Sequence, residues 1–536
     1  MKPTVSRDPR AGDPLARRAA AAGIVLATAT VYAGTLAAPL IYDDRVWITG
    51  NPSIRRLGSV AAVLWPGEAA VRGRPVLSLS LALSHALSGE APWGYHLANL
   101  AIHVLAALAL FGIVARTLAF LPERFPAARD RILFAFAVAL LWAVHPLQTE
   151  SVTYASQRSE SLMGLLYLLT LYAFIRGAQA PERGAWLLLS VAACALGMAT
   201  KEVMATAPLI VLAYDRTFVA GSLRGALRQR RGFYAGLAST WLVLALLSAG
   251  LRGRGVGYGL GYTWWGYALA ECWAVGHYLI LALWPYPLVL DYGTGIVGGL
   301  RDALPWACLL AVLLGLTALA FARKSALGFC GAWFFLILAP ASSVVPVAFQ
   351  PMAEHRMYLP LAAVVTAGVA AAWAWLGARS LALVSAAALA LGLGAYARNR
   401  DYGSETSIWA DTVLRRPGNP RARLALGEAL SREARHAEAA AQFAEAVRLD
   451  PGDFEARGSL GLELFRMGRV DEALAEYRLI APPTPDSAPL HCDIGMALER
   501  SGRSAEAIGQ YREAIRLDPG LDEARAGLVR LGAAPP

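Results

Sequence analysis

Charged residues are scarce in this sequence. Asp, Glu, Lys and Arg make up 16% of its 536 residues, against 56% apolar ones, and the mean hydropathy is +0.44. A water-soluble chain of this length carries about a quarter charged residues and interrupts its apolar runs. A soluble enzyme is therefore excluded. Cysteine is scarce too: the five, at 194, 272, 308, 330 and 492, form no C-x-x-C pair or other ligand spacing. That argues against a zinc site or a disulfide framework, and four of them fall in apolar runs, where cysteine serves as a small core residue. No stretch interleaves basic and aromatic residues, so the net charge of +10 does not imply nucleic acid. The first apolar run, 19–40, lacks the small-residue cleavage pattern of a removable signal peptide and reads as an anchor.

What the chain does have is apolar length. Stretches of roughly 17–23 residues recur through the first 400 positions, each long enough to cross about 30 Å of hydrocarbon. Crossings are expected near 19–40, 94–116, 131–145, 161–176, 184–200, 203–219, 232–250, 304–322, 327–346, 358–377 and 380–397. With the N-terminus inside, Lys and Arg concentrate in the inner loops, most clearly in "RTFVAGSLRGALRQRRG" (216–232), while the outer loops are balanced. Of two further apolar stretches, 75–88 is short and dotted with Ser and His, and 264–284 breaks this parity if counted; both read as helices lying in or re-entering from the outer interface. The expected order is a cytoplasmic segment (1–18), a multi-pass domain (19–397, with a first outer loop at 41–93), a linker (398–419) and a helical tail (420–532).

With this parity the ionisable clusters reach one side: Asp43–Asp44, His145, Glu150, Arg158, Glu160, Lys201–Glu202, Asp291 and Glu354–His355–Arg356. Ionisable groups near a bilayer are expensive to keep, and their convergence on one face marks a functional site. Any one cluster alone reads equally well as a pair that fixes a loop. His96, Asn99 and His103 share one helical face at i, i+3, i+7. They either line a cavity or, more in keeping with their position, bond helix to helix. His145-Pro146 reads as a helix stop as well as a site residue.

The tail repeats itself. Gly427, Gly461 and Gly495 are 34 residues apart, as are Ala439, Ala473 and Ala507, Phe443, Tyr477 and Tyr511, and Pro451, Pro485 and Pro519. That period, with a small residue at a helix crossing, an aromatic and a closing proline, is the tetratricopeptide signature. Three repeats (420–453, 454–487, 488–521) and a covering helix at 522–531 are expected, forming an α-solenoid that presents a surface to a partner and performs no chemistry.

"YDDRVWITGNPSI" (42–54), "RPVLSLSLALSHALSGEAPWGYHLANLAIHV" (74–104), "LLWAVHPLQTESVTYASQRSESL" (140–162), "KEV" (201–203) and "AEHRMYLPL" (353–361) stand in this order before the repeat tail. In those motifs the chain resembles the transmembrane and tetratricopeptide repeat-containing O-mannosyltransferases and their bacterial relatives, of the glycosyltransferase C superfamily. The resemblance implies an all-α fold, a glycosyltransferase C-type bundle of about eleven crossings followed by the solenoid. It implies an inverting transferase that uses a polyprenyl-phosphate sugar as co-substrate, with the acidic pair activating the acceptor hydroxyl and Asp43 placed first as the base. Mannose or another hexose, a protein Ser/Thr acceptor recruited by the repeats, and a bacterial inner membrane with the repeats in the periplasm complete that expectation.

Chemistry asks for the same groups. Displacing a sugar from a phosphate ester needs a base for the incoming hydroxyl and positive charge on the departing phosphate. Asp43 or Asp44 supplies the base. Arg158 and Arg356, steadied by Glu160 and Glu354, supply a two-oxygen grip, with Lys201 as a point-charge alternative and His355 beside them. Glu150, Glu202, His145 and His96 are supporting candidates. A divalent metal on the aspartates is the alternative to a base, but the pair lacks D-x-D spacing and no metal site is assigned. Membrane lipids are expected partners. Two other functions compete: a scaffold whose repeats dock envelope proteins, and a polysaccharide polymerase, flippase or transporter. The second should spread polar groups along the midplane, whereas here they collect at one face.

Overall fold

A computed structural model of the chain describes residues 14–55, 57, 60–64, 72–179, 183–249, 263–294, 299–342, 350–480 and 487–534. Most of the N-terminal segment, Pro485 and part of the first loop lie outside the described residues. Among those described, every regular element is a helix. The chain divides into two units, 1–404 and 405–536.

The first unit has two polar ends joined by apolar legs. At one end, called here the basic end, Arg116 Nη1 donates to Gln179 Oε1 at 3.1 Å and Thr117 meets Tyr214 at 2.8 Å. Buried Asp215 accepts from Arg230 at 2.9 and 3.0 Å, and Arg216 donates to the Phe321 carbonyl at 2.6 Å. The other end, the loop end, carries Asp43 and Asp44. The legs are Pro14–Tyr32, Trp93–Leu118, Ala128–Ala143, Arg158–Gln179, Arg183–Met198, Ala207–Tyr214 with the turns flanking it, Arg231–Ser248, Leu300–Ala322, Ala326–Leu338, Leu361–Leu376 and Ser380–Asp401. They fall where the eleven crossings were expected.

Among the described residues, seven helices are long and apolar enough to cross a membrane. This is a multi-pass membrane protein. One of the seven, Leu361–Asp401, has 41 residues. Laid straight it would reach about 60 Å, twice the bilayer core. Yet His355, just before it, bonds to Glu150, and Asn399, near its end, accepts from Thr153. Both ends therefore lie at one place. The two legs are antiparallel and reverse at Gly377, whose φ of +53° a residue with a Cβ adopts only with strain.

The Trp264–Leu283 helix also has the length to cross, but its polar ties say otherwise. Tyr267 donates to the Ala341 carbonyl at 3.4 Å, Glu271 pairs with Arg356 at 3.5 Å, Tyr278 donates to the Ala353 carbonyl at 2.9 Å, and the Ala282 carbonyl meets His145 at 3.2 Å. All four partners sit at the loop end. The helix runs along that end, as does the 14-residue Pro75–Ser88 helix. The Ala128–Ala143 leg turns by 57° into Pro146–Thr153. Proline disfavours a helical residue before it, and His145 is extended, its Nδ1 accepting from the Leu147 N–H at 3.2 Å.

In the tail, helix pairs Pro420–Arg432/His436–Leu449, Phe454–Arg466/Val470–Arg478 and Ala488–Arg500/Ser504–Leu517 are followed by Asp522–Arg530. A Cβ on Gly427, Gly461 or Gly495 would lie 2.5, 2.5 and 2.7 Å from the rings of Phe443, Tyr477 and Tyr511. Glycine and ring are thus two halves of one contact, which is why they recur together. The stretch expected as a linker, 398–419, is instead structured: Arg398 belongs to the last leg, and Glu405–Arg415 is a helix that buries Ile408, Trp409 and Val413 in the tail unit.

Candidate active site

The loop end is organised by one segment, 145–160, which is buried at every position except Gln157. A buried run so rich in polar side chains is stable only if each finds a partner. Gln148 donates to the Tyr358 carbonyl at 3.3 Å. Glu150 accepts from the His355 backbone at 2.8 Å and meets His355 Nδ1 at 2.7 Å. Thr153 donates to Asn399 at 2.7 Å. The segment thereby ties together the Glu354–Met357 turn and the last leg, Ser380–Asp401.

The aspartates meet it differently. Asp44 is fully buried, and its two oxygens accept from the Ile41 and Ser156 amides at 3.0 and 2.6 Å. Burial pushes its carboxyl up to about 7, the two amides opposing the rise and Asp43 adding to it. Asp43 is part-exposed, and its backbone N–H donates to the Tyr154 hydroxyl at 3.1 Å. One residue of the pair is thus fully buried on two amides and the other is part-exposed beside it.

The basic candidates separate in the same way. Arg158 is fully buried. Its Nε donates to Asn99 Oδ1 at 2.6 Å, its Nη1 to the Ser80 carbonyl at 2.8 Å and to Ser84 Oγ at 2.9 Å, and its Nη2 to the Tyr95 carbonyl at 2.8 Å. The expected partnership with Glu160 is absent, because Glu160 pairs with Lys201. Arg356 is likewise enclosed, on the Pro351 carbonyl at 2.8 Å, the Gln350 carbonyl and Glu271. Glu354 does not hold it either: that carboxyl accepts from the Val289 N–H and the Tyr292 hydroxyl, and burial pushes it up to about 8.

Lys201 and Glu202 stand nearer solvent. Glu202 accepts from Arg74 Nη2 at 3.0 and 3.2 Å. Arg74 lies over the Trp47 ring at 5.8 Å, one turn beyond the aspartates. His145 and His96 are bound to carbonyls, of Ala282 at 3.2 Å and Ala38 at 3.0 Å. His103 bridges the Tyr358 hydroxyl and the Ala143 carbonyl, and Asn99 also reaches the Val152 carbonyl at 3.1 Å, so the His96–Asn99–His103 face bonds helix to helix. Asp291 accepts from the Gly293 N–H at 2.9 Å. Among the described residues, no three His, Cys, Asp or Glu gather at metal-ligand distance.

Three participants escaped the sequence reading. Tyr154 and Ser156 are uncharged, so a search for ionisable clusters passes over them. Arg74 opens one of the quoted motifs, where a lone arginine before a proline reads as a loop residue.

Residues 406–454, 424–488 and 459–522 match a family model for the tetratricopeptide repeat. Among curated proteins the likeness is to named transferases. The chain is 31% identical over 232 residues to the protein O-mannosyl-transferase Tmtc2 of Drosophila melanogaster, covering 40% of this chain and 23% of that one. It is 32% identical over 189 residues to Tmtc1 of the same species, covering 34% and 21%. To human TMTC1 it is 31% identical over 226 residues, covering 38% and 24%. The chain is similar to these transferases over those lengths. It spans about a quarter of the length of the curated relatives it matches. Among solved structures, ArnT from Cupriavidus metallidurans bound to undecaprenyl phosphate is similar at 16% identity and a TM-score of 0.39, over 96% of this chain and 89% of that one.

Proposed function

We propose that this chain is a membrane glycosyltransferase that moves a hexose, mannose as the names of its relatives suggest, from a polyprenyl-phosphate donor to an acceptor hydroxyl. The observation that carries the reading is the division of labour in the aspartate pair. Asp44 is immobilised by two amides, so its neighbour Asp43, part-exposed, is held at a set position. Asp43 takes the proton of the acceptor hydroxyl while that oxygen bonds to the anomeric carbon. The bond from that carbon to the phosphate oxygen breaks, and its electron pair leaves with the phosphate. Attack opposite the leaving group inverts the anomeric centre. A Ser or Thr of an extracytoplasmic protein, brought by the repeats, is the proposed acceptor, with a bacterial inner membrane as the setting and the repeats in the periplasm.

The test is transfer by the purified full chain from a polyprenyl-phosphate mannose to a Ser/Thr peptide, followed by mass spectrometry. Transfer that is lost in Asp43→Asn while the protein stays folded supports the reading. Transfer by neither the wild type nor any donor variant, with the repeats still capturing envelope proteins, would make the chain a scaffold.

A further inference from the structure

We infer that Arg74 and Lys201 form the anion site that takes the phosphate of the lipid donor, and that Glu202 occupies Arg74 in its absence. The inference rests on the proposed transferase reading and names the residues of its phosphate site. Three observations carry it.

The first is accessibility of donors. Arg158 has its Nε and both Nη atoms engaged by protein oxygens at zero exposure, and Arg356 is closed in by two carbonyls and Glu271. An anion would have to break several buried bonds to reach either. The side chains of Arg74 and Lys201 are each 16% exposed. Arg74 uses Nη2 on Glu202, and its Nε–H, itself buried, has no hydrogen-bond partner in the structure, so its fork is less fully engaged than that of Arg158.

The second is placement. The Val76 N–H donates to the Ala199 carbonyl at 3.2 Å, laying the Arg74 segment against the Lys201 segment. The Arg74 guanidinium lies over Trp47, in the short helix Arg45–Thr49 that directly follows Asp43 and Asp44. Arg74 is thereby packed on the segment that carries the proposed base.

The third is the carboxylates. Glu160 is 4% exposed and stays with Lys201, but the Glu202 side chain is 44% exposed. Its carboxylate sits on the guanidinium as a phosphate would, two oxygens on one fork. Being exposed, it can turn to solvent at small cost and yield its place to a phosphate.

Opposite effects are thus expected from the two ends of one ion pair. Binding of farnesyl phosphate, a short polyprenyl phosphate, would be titrated onto the full chain in detergent. Arg74→Gln should weaken binding at least tenfold, and Glu202→Gln, which removes the competitor, should tighten it several-fold. Thermal midpoints of both variants would be read in parallel, with Arg74→Lys as the replacement if Arg74→Gln does not fold: a point charge keeps part of the affinity. Equal binding by wild type and the Arg74 variant would overturn the inference, as would weakening by Glu202→Gln, which would make the pair a strut. If the wild type binds no polyprenyl phosphate, the transferase reading itself falls, and that outcome is distinct from the other two.

Discussion

Asp43 and Asp44 are adjacent in sequence, yet Asp44 is buried on two amides and Asp43 is part-exposed, so their substitutions should fail in different ways. Asp43→Asn keeps the shape and removes the basic oxygen; turnover should fall by about 10²–10⁴-fold with donor binding intact. An Asp43→Asn enzyme that transfers normally would move the base elsewhere. Asp44→Ala leaves two amides without acceptors, at roughly 1–3 kcal/mol each, so the thermal midpoint should fall together with activity. Asp44 and Glu354 also set a pH dependence. Both carboxyls are raised by burial, to about 7 and about 8, above the ordinary range near 4. The folded state then holds their protons more tightly than the unfolded one. Their stabilising contribution is complete below about pH 4 and is lost as pH rises through 7 and 8. Melting of the wild type between pH 5 and 8 should shift downward with pH, with a shallower slope in Asp44→Asn. Arg158→Lys should lower the melting point by several degrees, since an ammonium cannot reproduce the planar fork that bonds Asn99, Ser80, Ser84 and Tyr95. A stable Arg158→Lys with weak donor binding would return the phosphate to Arg158.

Among the elements, the bend at His145–Pro146 does most to shape the site. It ends a leg at the loop end and sends the next 15 residues inward as a buried polar segment, with Tyr358 packed at its centre. The ring of Tyr358 lies where a Cβ on Gly164 would stand, 2.5 Å away, while its hydroxyl meets His103 and its carbonyl accepts from Trp142 at 2.8 Å. Gly164→Val should push the ring aside and destabilise the first unit by about 1–3 kcal/mol, read as a lower melting point of the full chain. The tail has its own version of this contact. Gly461→Val would drive a side chain into Tyr477, and limited proteolysis of the full chain should then cut first in the second repeat. Wild-type cleavage in that variant would show that the crossing has slack the geometry does not reveal.

For the molecule as a whole, the ends differ in charge: arginines tie the basic end together, and the aspartates, His355 and the Arg74–Glu202 pair mark the other. Cytoplasmic loops carry the Lys/Arg excess, and on that rule the proposed topology has the aspartates outside and the repeats in the periplasm. Alkaline phosphatase fused after residue 404 should be active in a bacterial host. An inactive fusion would require the Trp264–Leu283 helix to cross and would reverse the protein.

The sequence by itself determined the all-helical class, the places of the legs and the repeat register. Apolar length against a bilayer's thickness and a 34-residue recurrence are properties of the chain read one position at a time. It also singled out the residues that gather at the loop end of the first unit, because charged residues in an apolar chain stand out. Only the tertiary structure decided which of those charges are available. Arg158 and Arg74 look alike in sequence, but one is fully buried on four oxygens from residues 59 to 78 positions away and the other is part-exposed and paired with the exposed Glu202. Likewise Asp44 is locked by the amide of Ser156, 112 residues on. Availability is what remains after long-range partners have been assigned, and those partners are set by how the legs return to the same end.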